Sequence, residues 1–427
     1  ACHTVPVFLM IEYVVQCSWR KLMKQQRIYA KATVTKKQAN RIHDGHPWVY
    51  EDEIVSIDEN LENGSIVDVF GMKDNYLGTG FLSLHSKIRI RILTSNANDK
   101  IDEAFFARRI QYALQYRKEV MKDDFKACRL VHGESDGLPG LTIDRYDTIL
   151  VSEVDSFGCE KYKDCIYAAL LQQLAQMGEV IEGIYERNEG ELRKKEGLLQ
   201  YKGWYGDTHP ASTVTEIKEN DIYFEVDVEN GQKTGFFLDQ KYNRKAVRSL
   251  SEGKTILDCC THTGSFALNA AMGKAKKVVA LDISETALET ARRNAIRNHL
   301  EDKVEFIQGD VFEELERVRR EHIFYDFIIL DPPAFTKSRR TFLQAYQGYK
   351  KINAQAMKIL PRGGYLATNS CSHFMPVEKF KEMLKDAAKE AGVQVRIVEE
   401  RHASPDHPVL VSVSETDYLK YFLVQII

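Results

Sequence analysis

Beyond residue 220 the hydrophobic pattern is a regular alternation of short apolar runs and longer amphipathic stretches. The runs TILDCC (255–260), VVALDIS (278–284), VEFIQGD (304–310), FIILDPP (327–333) and YLATNSCS (365–372) are each followed by a helical period. Strand and helix in succession predict a parallel sheet with crossover helices, which binds ligands outside the carboxyl ends of its strands. Each of the first four strands is expected to end in an aspartate, Asp258, Asp282, Asp310 and Asp331, so four carboxylates face one crevice.

The pattern upstream is different. KIRIRIL (87–93) alternates strictly, with Lys87, Arg89 and Arg91 on one strand face and Ile88, Ile90 and Ile92 on the other. Short strand-like pieces with turns at Asn63-Gly64, Asp74-Asn75 and Gly78 make residues 23–100 a small β-rich module. Residues 101–205 mix helical and strand-like runs and predict a middle α+β domain, with LVHGESDGLPGLTIDRYD (130–147) as a turn-rich hairpin. Residues 206–427 hold the β/α alternation and close on VLVSVSETDYLKYFLV (409–424), which alternates like a terminal antiparallel hairpin. No internal repeat and no low-complexity tract is present. Residues 1–22 are expected to be a leader or non-native extension, with Met23 as the start.

With 427 residues, of which 44% are hydrophobic, the chain suits two or three soluble domains, and no apolar run reaches the roughly 20 residues of a membrane span. Eight cysteines without a CxxC pair argue against a disulfide framework and a structural metal site, and fit a reducing cytoplasm. A net charge of −3 excludes a general polyanion binder, so affinity for nucleic acid must come from local clusters. Residues 24–41 carry Lys24, Arg27, Lys31, Lys36, Lys37 and Arg41 with no acidic residue. Charge alternation alone more often marks a solvated strand face than a ligand surface. Two basic clusters in one module shift the reading toward RNA, through Lys36, Lys37, Arg41, Lys87, Arg89 and Arg91.

Four carboxylates in one crevice would repel one another unless a ligand rich in donors sits there, and a nucleoside is such a ligand. The loop DCCTHTGSF holds one glycine, Gly264, where a dinucleotide fingerprint needs three. S-adenosylmethionine has no phosphate and fits better, its carboxylate facing the N–H groups around Thr263, Gly264, Ser265 and Phe266. Asp282 is placed for the ribose and Asp310 for the adenine, while any one of these aspartates could equally be a helix N-cap.

Asp331-Pro332-Pro333 leaves strand-end carbonyls without local amide partners, which suits a nucleobase. Cys371 ends the next strand and should face the same crevice. Methylating C5 of a pyrimidine requires a nucleophile at C6, a task for a thiolate, with Asp331 at N3. A lone cysteine is more often a small buried hydrophobe, and Cys259 and Cys260 are read that way. Two alternatives stay open: amine methylation directed by DPPAF with Cys371 as bystander, and an assembly factor that binds S-adenosylmethionine without turnover. A small-molecule methyltransferase is disfavoured because it leaves the basic module without a task.

GQKTGFFLDQKYNR, THTGSFALNA, LDPPAF, SCS and SPDHPV, in that order, resemble the bacterial 23S ribosomal RNA large-subunit methyltransferase I family, from about Arg27 to the C-terminus. The resemblance implies an α/β protein: a C-terminal Rossmann-like class I methyltransferase domain, preceded by a small β-rich PUA domain opened by RIHDGHPWVYEDEI and a middle α+β domain. It further implies cytosine-5 methylation of 23S ribosomal RNA or an assembling large subunit, S-adenosylmethionine as cofactor, Cys371 as nucleophile and Asp331 as its partner at the base. Asp258, Asp282, Asp310 and Asp331 would then face the cofactor. Lys233 and Arg244, which flank GFFLDQ, approach cofactor or RNA, or are purely structural. The chain departs from the family at His262, Ser265 and His373. His407 is a candidate proton acceptor beside Asp406, although turn chemistry favours a structural role. A homodimer is left open.

Overall fold

The computed structural model describes residues 27–336 and 338–427; the expected extension over 1–22, Met23 and Lys24 lie outside the described residues. Strands β1 (Ala30–Val34), β2 (Trp48–Tyr50), β3 (Ile54–Ile57), β4 (Ile66–Gly71), β5 (Tyr76–Leu82) and β6 (Ile88–Thr94) form a six-stranded sheet in the order β2-β6-β5-β4-β1-β3. Helix α1 (Lys36–His43) starts where Thr35 accepts a hydrogen bond from the Gln38 N–H. Ala32, Val34, Val49, Val69 and Ile90 are among the residues that close this small core.

The free basic face expected of KIRIRIL needs correction. Arg91 is buried and meets Glu196 of the middle region at 2.6 Å. Arg89 pairs with Glu51 and donates to the Ser83 carbonyl, and Lys37 pairs with Glu53. For Arg91 the reason is general: a small sheet gains stability by laying one face on a neighbour, and a cation there persists only when paired. Lys36, Arg41 and Lys87 make no ion pair among the described residues, and Arg41 lies over the Tyr50 ring at 5.1 Å.

The middle region runs α2 (Glu103–Met121), β7 (Ala127–His132), β8 (Leu141–Tyr146), β9 (Ile149–Val154), α3 (Phe157–Gln176), β10 (Gly183–Asn188), α4 (Glu191–Lys195) and β11 (Tyr201–Trp204). Its five strands take the order β11-β10-β9-β8-β7. The hairpin expected over 130–147 is present as antiparallel β7 and β8, turned by Gly137 at φ +67°. One sheet face packs on α2 and α3 through Phe105, Phe106, Ile110 and Leu170. The other shares a core with the C-terminal region, where Tyr146, Val151 and Tyr185 meet Ile217, Phe224 and Val226.

The C-terminal region opens with the hairpin β12 (Val214–Glu219) and β13 (Ile222–Asp227), followed by α5 (Lys241–Ser249). Then come β14 (Thr255–Cys259), α6 (Ser265–Met272), β15 (Lys277–Asp282), α7 (Glu285–Arg297), β16 (Val304–Gln308), α8 (Val311–Arg320), β17 (Phe327–Leu330), α9 (Phe342–Ile359), β18 (Tyr365–Ser370), α10 (Val377–Ala391), β19 (Val395–Arg401) and β20 (Lys420–Ile426). The sheet order is β16-β15-β14-β17-β18-β20-β19, with the first five strands parallel and β20 antiparallel to both its neighbours. Strand order reverses between β14 and β17, and a crevice opens at such a switch point.

The terminal hairpin expected over 409–424 is a second correction. Only its last residues are strand, and they pair with β18 and with the upstream β19. Residues 404–416 instead tie the three regions together: Tyr116 donates to the Pro405 carbonyl, Ser135 to that of Pro408, and Ser412 to that of Gly45. No helix among the described residues is long and apolar enough to cross a membrane.

Candidate active site

The loop after β14 is bent by left-handed residues at alternate positions, Cys260 (φ +63°), His262 (φ +52°) and Gly264 (φ +83°). Such alternation gathers backbone N–H groups into a concavity suited to an anion. Gly264 suits its left-handed position, and a Cβ there would also lie 3.1 Å from the Ala291 side chain. The His262 N–H donates to Asp282 Oδ2 at 2.8 Å and the Ser284 N–H to Oδ1 at 2.9 Å, which aims Asp282 while leaving lone pairs on both oxygens. Asp310 caps α8, accepting from the N–H groups of Phe312 and Glu313. The N-cap alternative therefore holds for Asp310, which nonetheless borders the cavity.

That cavity, of about 430 Å³, is walled by the strand ends, the 260–266 loop and the GQKTGFFLDQ segment. It brings together Lys233, Arg244, Ser265, Phe266, Asp282, Asp310, Asp331 and Cys371 of the expected residues. Asp258, Thr263 and Gly264 are not among its lining residues. Asp258 lies within β14, fully buried, and accepts from the Thr261 hydroxyl at 2.5 Å. Burial, and after it the charge of Asp331, push its carboxyl up to about 8, which favours its protonated form. Its bond with Thr261 braces the loop.

Arg244 is likewise held internally. Its guanidinium grips the buried Glu219 carboxylate at 2.6 and 2.7 Å and donates to the Phe237 carbonyl at 2.8 Å. The structural alternative accounts for its charge. Lys233, at φ +53°, places its ammonium 4.4 Å above the Phe237 ring and 2.7 Å from Asp239 Oδ2.

Asp331 and Cys371 follow the adjacent parallel strands β17 and β18, whose register pairs Leu330 with Thr368. Gln240 donates to Asp331 Oδ1 at 3.1 Å and is itself oriented by the Asn243 side chain. Burial first, then the nearby charge of Asp239, push the Asp331 carboxyl up to about 7. Burial and the charge of Asp331 push the Cys371 thiol above its ordinary 9.0, while Lys233 acts in the opposite sense. Lys420, across from Ser370 on β20, donates to the carbonyls of Ser372 and Tyr418 and so fixes the backbone beside the cysteine. His407 is not among the lining residues; it is buried against Asp406 and His132 where the three regions meet.

Asp239, Gln240 and Lys420 had no periodic or spacing signal. They lie inside the GQKTGFFLDQ and 409–424 stretches, but only their tertiary neighbours give them a place at the site. Cys260 and His262 do line the cavity; burial pushes the Cys260 thiol up and holds the His262 ring near 4, so both are neutral.

An open parallel sheet with one glycine in its first loop, an oriented acidic residue at the end of its second strand and a nucleoside-sized crevice defines the class. Residues 203–423 match the sequence family described as S-adenosylmethionine-dependent methyltransferase, and residues 32–95 the PUA-like domain. The protein is an S-adenosylmethionine-dependent methyltransferase. Its 384-residue alignment with the ribosomal RNA large subunit methyltransferase I of Pseudoalteromonas atlantica is 39% identical and covers 90% of this chain and 95% of that protein. The namesake of Yersinia pseudotuberculosis is 36% identical over 89% of this chain and 95% of its own. The chain belongs to the ribosomal RNA large subunit methyltransferase I family. The fold is shared with a putative methyltransferase from Streptococcus mutans, at a TM-score of 0.77 and 24% identity over 92% of this chain and 99% of that one. It is shared also with the methyltransferase SMU.776 in complex with SAH, at a TM-score of 0.79 and 24% identity over the same shares.

Proposed function

We propose that this enzyme methylates C5 of a cytosine in 23S ribosomal RNA through a transient bond between Cys371 and C6. The observation that carries the reading is the placing of Cys371 and Asp331 on adjacent strand ends, in one cavity with the 260–266 loop and Asp282. The loop's N–H groups would hold the methionine carboxylate of the cofactor, Asp282 the ribose hydroxyls, and the residues around Asp310 the adenine. Bound S-adenosylmethionine supplies an electrophilic methyl group.

The residues of this chain supply the rest. Cys371 Sγ, as thiolate, adds to C6, and the electron pair of the C5–C6 double bond becomes available at C5. Asp331 holds its proton toward N3 and so draws charge away from C5 and C6 as the adduct forms. After C5 has been methylated, a base takes the C5 proton, the pair of that C–H bond restores the C5–C6 double bond, and the C6–S bond breaks to release the thiolate. The target base must leave its stack to reach this depth, and Lys36, Arg41 and Lys87 of the PUA-like region would hold the RNA backbone.

The test is methyl transfer from labelled S-adenosylmethionine to unmodified 23S ribosomal RNA, with the product nucleoside identified by mass spectrometry. We expect 5-methylcytidine; N-methylated guanosine or adenosine would overturn the reading.

The same chemistry predicts an unusual pH profile. Thiolate rises about tenfold per unit below the thiol pKa, while protonated Asp331 falls about tenfold per unit above about 7. The rate at limiting RNA should therefore climb up to about pH 7 and then level off. In Asp331→Asn, slower at every pH, the amide does not titrate and the climb should continue. A wild-type rate that keeps climbing past pH 7.5 would count against a protonated Asp331.

A further inference from the structure

Two carboxyl groups, Asp239 and Asp331, share the cavity with Cys371, and their surroundings differ in a way the reaction above does not use. Asp239 is 2% exposed, and its Oδ2 takes the Lys233 ammonium at 2.7 Å and the Tyr418 hydroxyl at 2.6 Å. Its Oδ1 is buried without any hydrogen-bond partner among the described residues. A buried ionised oxygen left bare is costly, and on a residue that lines the cavity it points to a donor supplied by a ligand. Among the described residues no cation is bonded to Asp331; its Oδ1 accepts from Gln240, whose amide is turned by Asn243. Two neighbouring carboxylates do not both ionise readily, and the one bonded to a cation ionises first.

We infer that this pair reads the Watson–Crick edge of the target base, Asp331 donating to N3 and Asp239 Oδ1 accepting from the exocyclic amine at C4. Cytosine offers an acceptor at N3 and a donor at C4, whereas uracil offers the reverse at both positions. One protonated and one ionised carboxyl group therefore complement cytosine and not uracil, the other pyrimidine of RNA. Burial works against ionisation of Asp239, but Lys233 next to it holds its carboxyl well below the usual range, consistent with the acceptor role. The inference rests on the cytosine reading proposed above and assigns Asp239 the choice of base.

The test compares target RNAs carrying cytidine, N4-methylcytidine or N4,N4-dimethylcytidine at the modified position, with wild type and Asp239→Asn, alongside S-adenosylmethionine affinity by calorimetry. Wild type should process the monomethyl base, which keeps one N–H, at nearly the cytidine rate and the dimethyl base at least about tenfold more slowly. In Asp239→Asn, slower on cytidine, the dimethyl penalty should shrink to within about twofold, because the acceptor it depends on has changed. Equal penalties in both proteins would overturn the inference, as would lost cofactor affinity with the penalty intact, which would turn the bare oxygen toward the cofactor. Should the variant fail to fold, wild type alone decides: dimethylcytidine handled as fast as cytidine refutes the acceptor. Wild type that yields no 5-methylcytidine removes the proposed reaction, and this inference falls with it; 5-methylcytidine with unchanged penalties removes only the inference.

Discussion

Cys371→Ala should lose methyl transfer by a factor on the order of 10⁴ to 10⁶, the scale seen when a covalent nucleophile is deleted. Cys260 is the other cavity thiol among the described residues, and burial together with the charges of Asp282 and Asp331 keeps it protonated. The loss should appear with the fold intact, because the hydrogen bonds around the cysteine belong to its neighbours. Ser370 donates to the Tyr349 hydroxyl at 3.0 Å, Ser372 to the Thr336 carbonyl at 2.9 Å, and Lys420 to the Ser372 carbonyl. Cofactor affinity should therefore be unchanged, since no cofactor-side group depends on the thiol. Methyl incorporation and S-adenosylmethionine titration on the same preparation separate the two effects. Activity within tenfold of wild type would make the cysteine a bystander and return the chemistry to an exocyclic amine.

Arg244→Ala should cost about 3–5 kcal/mol of folding stability, the range for stripping one partner from a buried ion pair. The side chains of Arg244 and Glu219 are 1% and 0% exposed, so solvent screens neither charge. The substitution leaves the Glu219 carboxylate in the core without its two guanidinium bonds and releases the Phe237 carbonyl at the cavity wall. Urea unfolding monitored through the C-terminal region should show the drop. Arg244→Met combined with Glu219→Leu should recover most of it, because two apolar residues of similar size carry no desolvation penalty. A loss below about 1 kcal/mol for the single variant would place the pair in water, contrary to its burial.

The alternation of apolar runs after residue 220 was enough to predict the parallel sheet, since a strand buried on both faces must be continuously apolar and its crossover must be helical. The strand ends carrying Asp282, Asp310, Asp331 and Cys371 were legible for the same reason, as was a loop with too few glycines for a pyrophosphate. KIRIRIL was legible as a strand but not as an interface, because alternation tells which residues share a face and not what covers it. Only the fold shows that Glu196, 105 residues away, neutralises Arg91. The same holds at the site: Asp239 and Gln240 reach the cavity from a segment without regular period, and the charge of Arg244 is paired with Glu219. Periodicity is a local property of the chain and determined the elements, their order and the end of the sheet where chemistry would sit. Burial and charge pairing are sums over neighbours distant in sequence, so which carboxyl keeps its proton, which cations are free and which oxygen is left bare were decided by the tertiary structure alone.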